Sequence, residues 1–170
     1  MKRICVVTVF LVGICCVAKA ECGLYGLFSA SSARVLNSDW DYGGTPGFYC
    51  DRWKADWAHA GFDLRVPLLG SGTSKLVGGL GGARIRLDRI GLNFKPYAEL
   101  LAGGSHVTNL EGGSSVHSNS FQYQVVAGVD RKVSPRIDWR LAELSWGRLT
   151  YRGHGFALTT VSTGLVLRFP

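Results

Sequence analysis

The sequence predicts an all-β protein, an eight-stranded antiparallel up-and-down β-barrel that crosses a membrane with its strands. Three observations predict it. First, residues 156–169, FALTTVSTGLVLRF, alternate with a period of two. Ala157, Thr159, Val161, Thr163, Leu165, Leu167 and Phe169 share one face, while Thr160, Ser162, Gly164 and Arg168 share the other. Second, after residue 20 no stretch carries an apolar stripe at helical spacing or an apolar run long enough to span a bilayer as a helix. Third, glycine is abundant, 23 in 170 residues, and many glycines lie inside strand-like runs, where they mark bends or crowded walls.

The first twenty residues read as a secretory signal peptide. Lys2 and Arg3 form a positive start, residues 4–18 are apolar, and Ala18 and Ala20 place small residues before a cleavage point at Glu21. About fifteen apolar residues fall short of the ~20 that a spanning helix needs. Residues 21–170 then form one domain. Without Lys2, Arg3 and Lys19 its formal charge falls from +7 to +4. That charge is scattered. In residues 84–89, RIRLDR, the charged side chains alternate with Ile85 and Leu87 as on one face of a strand, so the run does not point to nucleic acid. Cys22 and Cys50 are the two cysteines left, an even number for an oxidising compartment, and a single disulfide can join them.

Taken in order, a first strand is expected over residues 22–36, with weak alternation, followed by a polar loop at 37–46. A short second strand at 47–53 returns through 54–57 to a third at 59–69. There Phe62, Leu64, Val66 and Leu68 oppose Asp63 and Arg65. After a turn at 70–74, the fourth strand, 75–88, sets Val77, Ala83, Ile85 and Leu87 against Arg84, Arg86 and Asp88. The fifth, 94–108, sets Ala98, Leu100 and Ala102 against Lys95, Tyr97 and Glu99. A long Gly/Ser loop is expected at 109–119. The sixth strand, 120–133, is the clearest: Phe121, Tyr123, Val125, Ala127 and Val129 on one face, Gln122, Gln124, Gly128, Asp130 and Lys132 on the other. In the seventh, 137–151, Asp138 and Arg140 fall out of parity with Glu143 and Ser145. A bulge near Ala142 restores it and leaves Leu144 and Trp146 with the apolar face. The eighth is 156–169. With both chain ends on the periplasmic side, the connections at 37–46, 70–74, 109–119 and 152–155 face outward from the cell. Phe94, Phe121, Trp139, Tyr151, Phe156 and Phe169 sit near strand ends, as interfacial aromatic girdles do.

The segments KPYAELLAGGSHV at 95–107, FQYQVVAGVDRKVSPRIDWRLAELSWG at 121–147 and STGLVLRF at 162–169 resemble the small eight-stranded bacterial outer-membrane barrels of the OmpA/OmpX type. The resemblance runs nearly the length of residues 21–170 and is weakest in the first third. It implies an outer-membrane location, contact with outer-membrane lipid, and recognition of the last strand by the outer-membrane assembly machinery. Leu165, Leu167 and Phe169 would form that assembly signal. Here the aromatic is penultimate and Pro170 follows it.

The faces assigned above gather Asp63, Asp88, Glu99, Asp130, Asp138 and Glu143 with Arg65, Arg84, Arg86, Lys95, Lys132 and Arg140 inside the barrel. Buried charges persist when paired, so this is a structural network, with Arg140, Arg84 and Arg86 the candidate partners of Glu143. An eight-stranded barrel is just filled by side chains and has no wide pore. The residues show no catalytic pair, cofactor motif or metal site. His117 and Ser118, side by side in the sequence, faintly resemble the His and Ser of lipid A deacylases, but in a strand they point to opposite faces. His59, His106 and His154 have no zinc spacing, and the glycines of 78–82 do not complete a phosphate-binding pattern. The reading is therefore a structural or surface-interaction barrel, with no nucleic-acid partner and its surface partner unknown. Two alternatives stand beside it. A lipid A-modifying barrel enzyme would need a catalytic pair. A soluble periplasmic lipocalin-like barrel would bind an apolar ligand and have the same strands facing the opposite way.

Overall fold

The computed structural model describes residues 20–33, 40–71, 74–88, 93–111, 114–151 and 154–169. The signal peptide lies outside these residues except for Ala20. The described residues form nine strands: β1 Glu21–Ala33, β2 Asp41–Lys54, β3 Ala58–Arg65, β4 Leu68–Gly70, β5 Ser74–Leu87, β6 Phe94–Glu111, β7 Ser114–Lys132, β8 Ile137–Tyr151 and β9 His154–Phe169. All pairings are antiparallel, and β1 pairs with both β2 and β9, so the sheet closes on itself. β3 and β4 both lie between β2 and β5 and are two halves of one stave, giving eight staves. The break falls at Pro67, which has no N–H for the ladder. The wall is still stitched there: Val66 N donates to Pro46 O at 2.9 Å, and Gly78 N donates to Pro67 O at 3.0 Å.

Two elements differ from expectation. β2 begins at Asp41, so residues 41–46 are strand and not loop. Their glycines permit this. At Gly43 an added Cβ would overlap the Leu68 carbonyl, so only glycine lets the two backbones come that close. The second correction is at 109–119. The β6–β7 ladder runs on to the Glu111–Ser114 pair, past Phe121–Gly104 where the apolar face ends, so most of that region is hairpin. A ladder needs no apolar face to pair, and on the outer face of this one His106, His117 and Asn119 are exposed. Beyond Phe121, β7 has β6 as its one neighbour among the described residues. The bulge in β8 lies at Leu141–Ala142: Asp130 pairs with Arg140 and Val129 with Ala142, and toward β9 the register shifts between Arg140 and Glu143.

Exposure alternates along most of the wall, with a break in β2 where Tyr49, Cys50 and Asp51 are all buried. Val77, Ile85, Leu100, Phe121, Tyr123, Val125, Leu144, Trp146, Val161 and Leu165 are exposed on the outside. Their chain neighbours point into the barrel and are buried. The greasy face of each strand is thus the outer one.

Candidate functional site

The interior is filled in layers. At the end that holds the start of β1 and the end of β9, Glu21 meets Arg86 at 2.8 Å and Arg168 at 3.0 Å, while Asp138 meets Lys95 at 3.0 Å and Arg168 at 2.9 Å. Asp51, wholly buried, lies 3.4–3.5 Å from the Nε atoms of Arg86 and Arg84.

The next layer is the centre. Arg65 joins three carboxylates: Asp63 at 3.0 Å, Glu143 at 2.7 Å, and Glu99. Arg84 binds Glu99 and lies 3.5 Å from Asp130. Arg140 binds Asp130 and Glu143, both at 2.9 Å. Every member is close to fully buried. Each guanidinium therefore trades its water for several carboxylate oxygens, the condition under which buried charge is tolerated.

Three tyrosines complete this layer. Arg84 stacks between Tyr49 and Tyr97, at 4.3 and 4.1 Å from the ring centres, and Arg140 between Tyr97 and Tyr25, both at 4.5 Å. The result is a column, Tyr49–Arg84–Tyr97–Arg140–Tyr25. A guanidinium is planar and weakly hydrated, so it accepts aromatic faces on both sides while its edge serves carboxylates. Tyr97 Oη donates to Glu143 at 2.6 Å and Tyr25 Oη to Asp63 at 2.7 Å, so these two rings also hold a carboxylate. Room for the rings comes from glycine. Tyr25 faces Gly47, Tyr49 faces Gly23 and Tyr97 faces Gly128 across neighbouring strands. Each ring lies over its glycine, where a Cβ would overlap it.

Beyond the centre come hydroxyls and amides. Ser29 bonds Thr45 and Ser162, both at 2.9 Å, and Ser105 donates to Gln122. A cavity of about 20 Å³ lies here between Arg65, Glu143, Gln124, Ser162 and Leu69, room for about one water molecule. Farther along, Leu69, Leu76, Val107, Leu149 and Leu158 close the interior as an apolar plug.

Of the residues assigned to the network from sequence, Asp63, Arg65, Arg84, Arg86, Glu99, Asp130, Arg140 and Glu143 are buried inside the barrel, as are Lys95 and Asp138. Asp88 is a correction. It follows the last residue of β5, its side chain is 45% exposed, and it pairs with His59 at 2.9 Å outside the central layer. Lys132 is half-buried at the end of β7. The partners of Glu143 are also corrected: Arg140 reaches it, but the second arginine is Arg65 and not Arg84 or Arg86. Cys22 and Cys50 face each other across β1 and β2 and are bonded. Leu165, Leu167 and Phe169 lie on the outer face of β9. His117 is exposed on the outside of β7, where Thr108 Oγ1 lies 3.1 Å from its Nδ1, and Ser118 turns to the other face, so the two form no nucleophile–base pair. Sequence reasoning did not single out Tyr25, Tyr49, Glu21 or Asp51. Their signal was parity, hidden in β1 and β2 because glycine and tyrosine share the inner face there.

The facing also decides between the two barrel readings. A soluble ligand-holding barrel turns its apolar residues inward and its charges outward. Here the charges are inside and Leu165, Val125 and Leu100 are outside, so the lipocalin-like alternative is overturned.

No protein-family model matches the sequence, and neither does any curated protein. Among solved structures, the chain is similar to Neisserial surface protein A (NspA): 16% identical, covering 88% of this chain and 97% of that one, with a TM-score of 0.56. It is also similar to Ail, the attachment invasion locus protein of Yersinia pestis: 12% identical over 88% and 97% of the chains, with a TM-score of 0.54. Ail in complex with the heparin analogue sucrose octasulfate matches at 15% identity over the same shares, with a TM-score of 0.50. The likeness covers the closed ring, its antiparallel order and nearly the whole of each partner, and with it the chain has the fold of the small eight-stranded outer-membrane β-barrels of the OmpA/OmpX type.

Proposed function

We propose that this protein is exported through a cleaved signal peptide and resides in the outer membrane. There it acts as a structural or surface-interaction barrel, with neither a wide pore nor catalysis. The observation that carries this reading is the inverted facing: an apolar outer wall around a charged, sealed core. Lipid solvates the wall, and paired arginines and carboxylates fill the inside. Transport is disfavoured by the packing, since the cavity above the ion cluster holds about one water molecule and the leucine plug closes the next layer. Catalysis is disfavoured because the central carboxylates are committed to arginines and His117 is parted from Ser118.

The outer face of β9, with Leu165, Leu167 and Phe169, supports recognition by the outer-membrane assembly machinery. The polar β6–β7 arm, extending past the apolar wall, supports contact with a partner outside the cell.

Membrane fractionation and planar-bilayer recording test the reading separately. The protein is expected in the outer-membrane fraction, soluble with detergent only, and silent or weakly flickering in a bilayer. Recovery as a detergent-free soluble protein would overturn the location. Large, stable, ohmic steps would overturn the sealed interior.

A further inference from the structure

The β6–β7 arm brings together two histidines that sequence spacing keeps eleven residues apart. His106 on β6 pairs with Asn119, and Thr108 with His117 on β7, so the two imidazoles are diagonal neighbours on one face. Both are exposed. Their rings are nearly parallel, 20° apart in plane, with centres separated by 5.5 Å.

Each ring is held by its Nδ1. His106 Nδ1 lies 3.0 Å from Asn119 Oδ1, and His117 Nδ1 lies 3.1 Å from Thr108 Oγ1. An amide oxygen only accepts, so a hydrogen bond at this contact uses the proton of the tautomer protonated at His106 Nδ1, and in the neutral ring that tautomer leaves the Nε2 lone pair free. The Thr108 hydroxyl can accept in the same way and leave His117 Nε2 bare. An oxygen held against one ring nitrogen, with the other nitrogen free, is the arrangement that orients histidine for a metal.

We propose that His106 and His117 form a surface site for a borderline divalent transition ion of the zinc or copper class. Imidazole nitrogen is the donor that suits these ions, at Zn–N distances of about 2.0–2.1 Å. Side-chain rotation brings the Nε2 atoms from their stacked positions to one ion. The rest of the coordination is left to water or to oxygens outside this chain, because among the described residues no third His, Cys, Asp or Glu joins the pair. Once one imidazole has bound, the other is delivered by the same rigid ladder and binds as an intramolecular ligand. The ion would clamp β6 to β7 where, among the described residues, β7 has β6 as its one neighbour. This site does not depend on which membrane or partner the barrel serves.

The test is isothermal titration of the untagged, membrane-extracted barrel with Zn²⁺ and with Cu²⁺, beside H106Q, H117Q, H106Q/H117Q and the control H59Q. His59 is held by Asp88 at the opposite end of the barrel. One ion per barrel is expected for wild type and H59Q, with affinity falling about tenfold or more in each single variant and vanishing in the double. N119A should weaken binding about tenfold, the usual effect of removing the oxygen that orients a ligating histidine. Copper electron paramagnetic resonance should show two nitrogen ligands in wild type and one in H117Q. Undiminished binding by the double variant, no binding by wild type at millimolar ion, or a wild-type spectrum retained in both single variants would each overturn the proposal.

Discussion

Tyr97 on β6 and Gly128 on β7 are cross-strand partners, and the phenol ring of Tyr97 occupies the space that any side chain at position 128 would take. That ring separates Arg84 from Arg140 and donates its hydroxyl to Glu143. Replacing Gly128 with Val should therefore displace the middle of the stack. The expected loss is about 1–3 kcal/mol from overpacking alone, read as a lower urea midpoint in lipid vesicles. Gly79→Ala is the contrast, because nothing lies within 4 Å of a Cβ there. Its effect should stay within about 0.5 kcal/mol.

Glu143 binds Arg65 and Arg140 and accepts from Tyr97 in a site without bulk water. Glu143→Ala should leave two guanidiniums short of a counter-charge and cost about 3–5 kcal/mol. The double replacement with Arg65→Ala should cost less than the two singles together, by about 0.5–3 kcal/mol. Strictly additive losses in urea unfolding would mean that the two side chains do not interact in the folded barrel.

Val125 lies on the outer wall, 49% exposed, beside Val126, which is fully buried. Val125→Arg should destabilise the barrel in vesicles by about 2–4 kcal/mol if it sits near the bilayer midplane. The same substitution in a water-exposed wall would be nearly neutral. Equal folding of variant and wild type would show that this face does not meet lipid.

Cys22 and Cys50 close a sequence separation of 28 residues between β1 and β2. Replacing both with Ser should lower stability by about 2–4 kcal/mol, most of it through a less constrained unfolded chain. Unfolding curves of wild type with and without reductant should show the same gap, and the double variant should ignore the reductant.

The later staves were legible in the sequence because lipid and a charged core impose opposite demands on alternate residues. β7 shows this most plainly, with Phe121, Tyr123 and Val125 set against Gln122, Gln124 and Asp130. β1 and the second half of β2 were legible as strands but their facing was not, because their inner faces carry Gly23, Tyr25, Gly47 and Tyr49, which alternate in size and not in polarity. The arm at 109–119 read as loop because neither face of its strands is apolar, so no period of two betrays it. The charged residues of the central layer were readable one by one, while Glu21 and Asp51 in the end layer were not. Pairing within the central layer was not readable: Arg65 and Glu143 are 78 residues apart, and only ring closure makes them neighbours. The leucine plug escaped notice since period-two reading assigns the inner side to polar groups, while Leu76, Val107, Leu149 and Leu158 share that side beyond the hydroxyl layer.

β9 presents Leu158, Thr160, Ser162, Gly164 and Val166 to the interior, and its charged Arg168 stands at the rim. No member of the central ion cluster or of the tyrosine column comes from it. The stave that completes the circle is thus electrically idle at mid-depth. It can dock last, or be exchanged for another strand of the same small-residue pattern, without separating any carboxylate of the central cluster from its arginine; the pairs at stake are those of Arg168 with Glu21 and Asp138 at the rim. A protein delivered to its membrane as an open sheet would have in β9 a closing piece whose fit depends on backbone pairing and shape, leaving its outer face free to be handled by whatever performs the insertion.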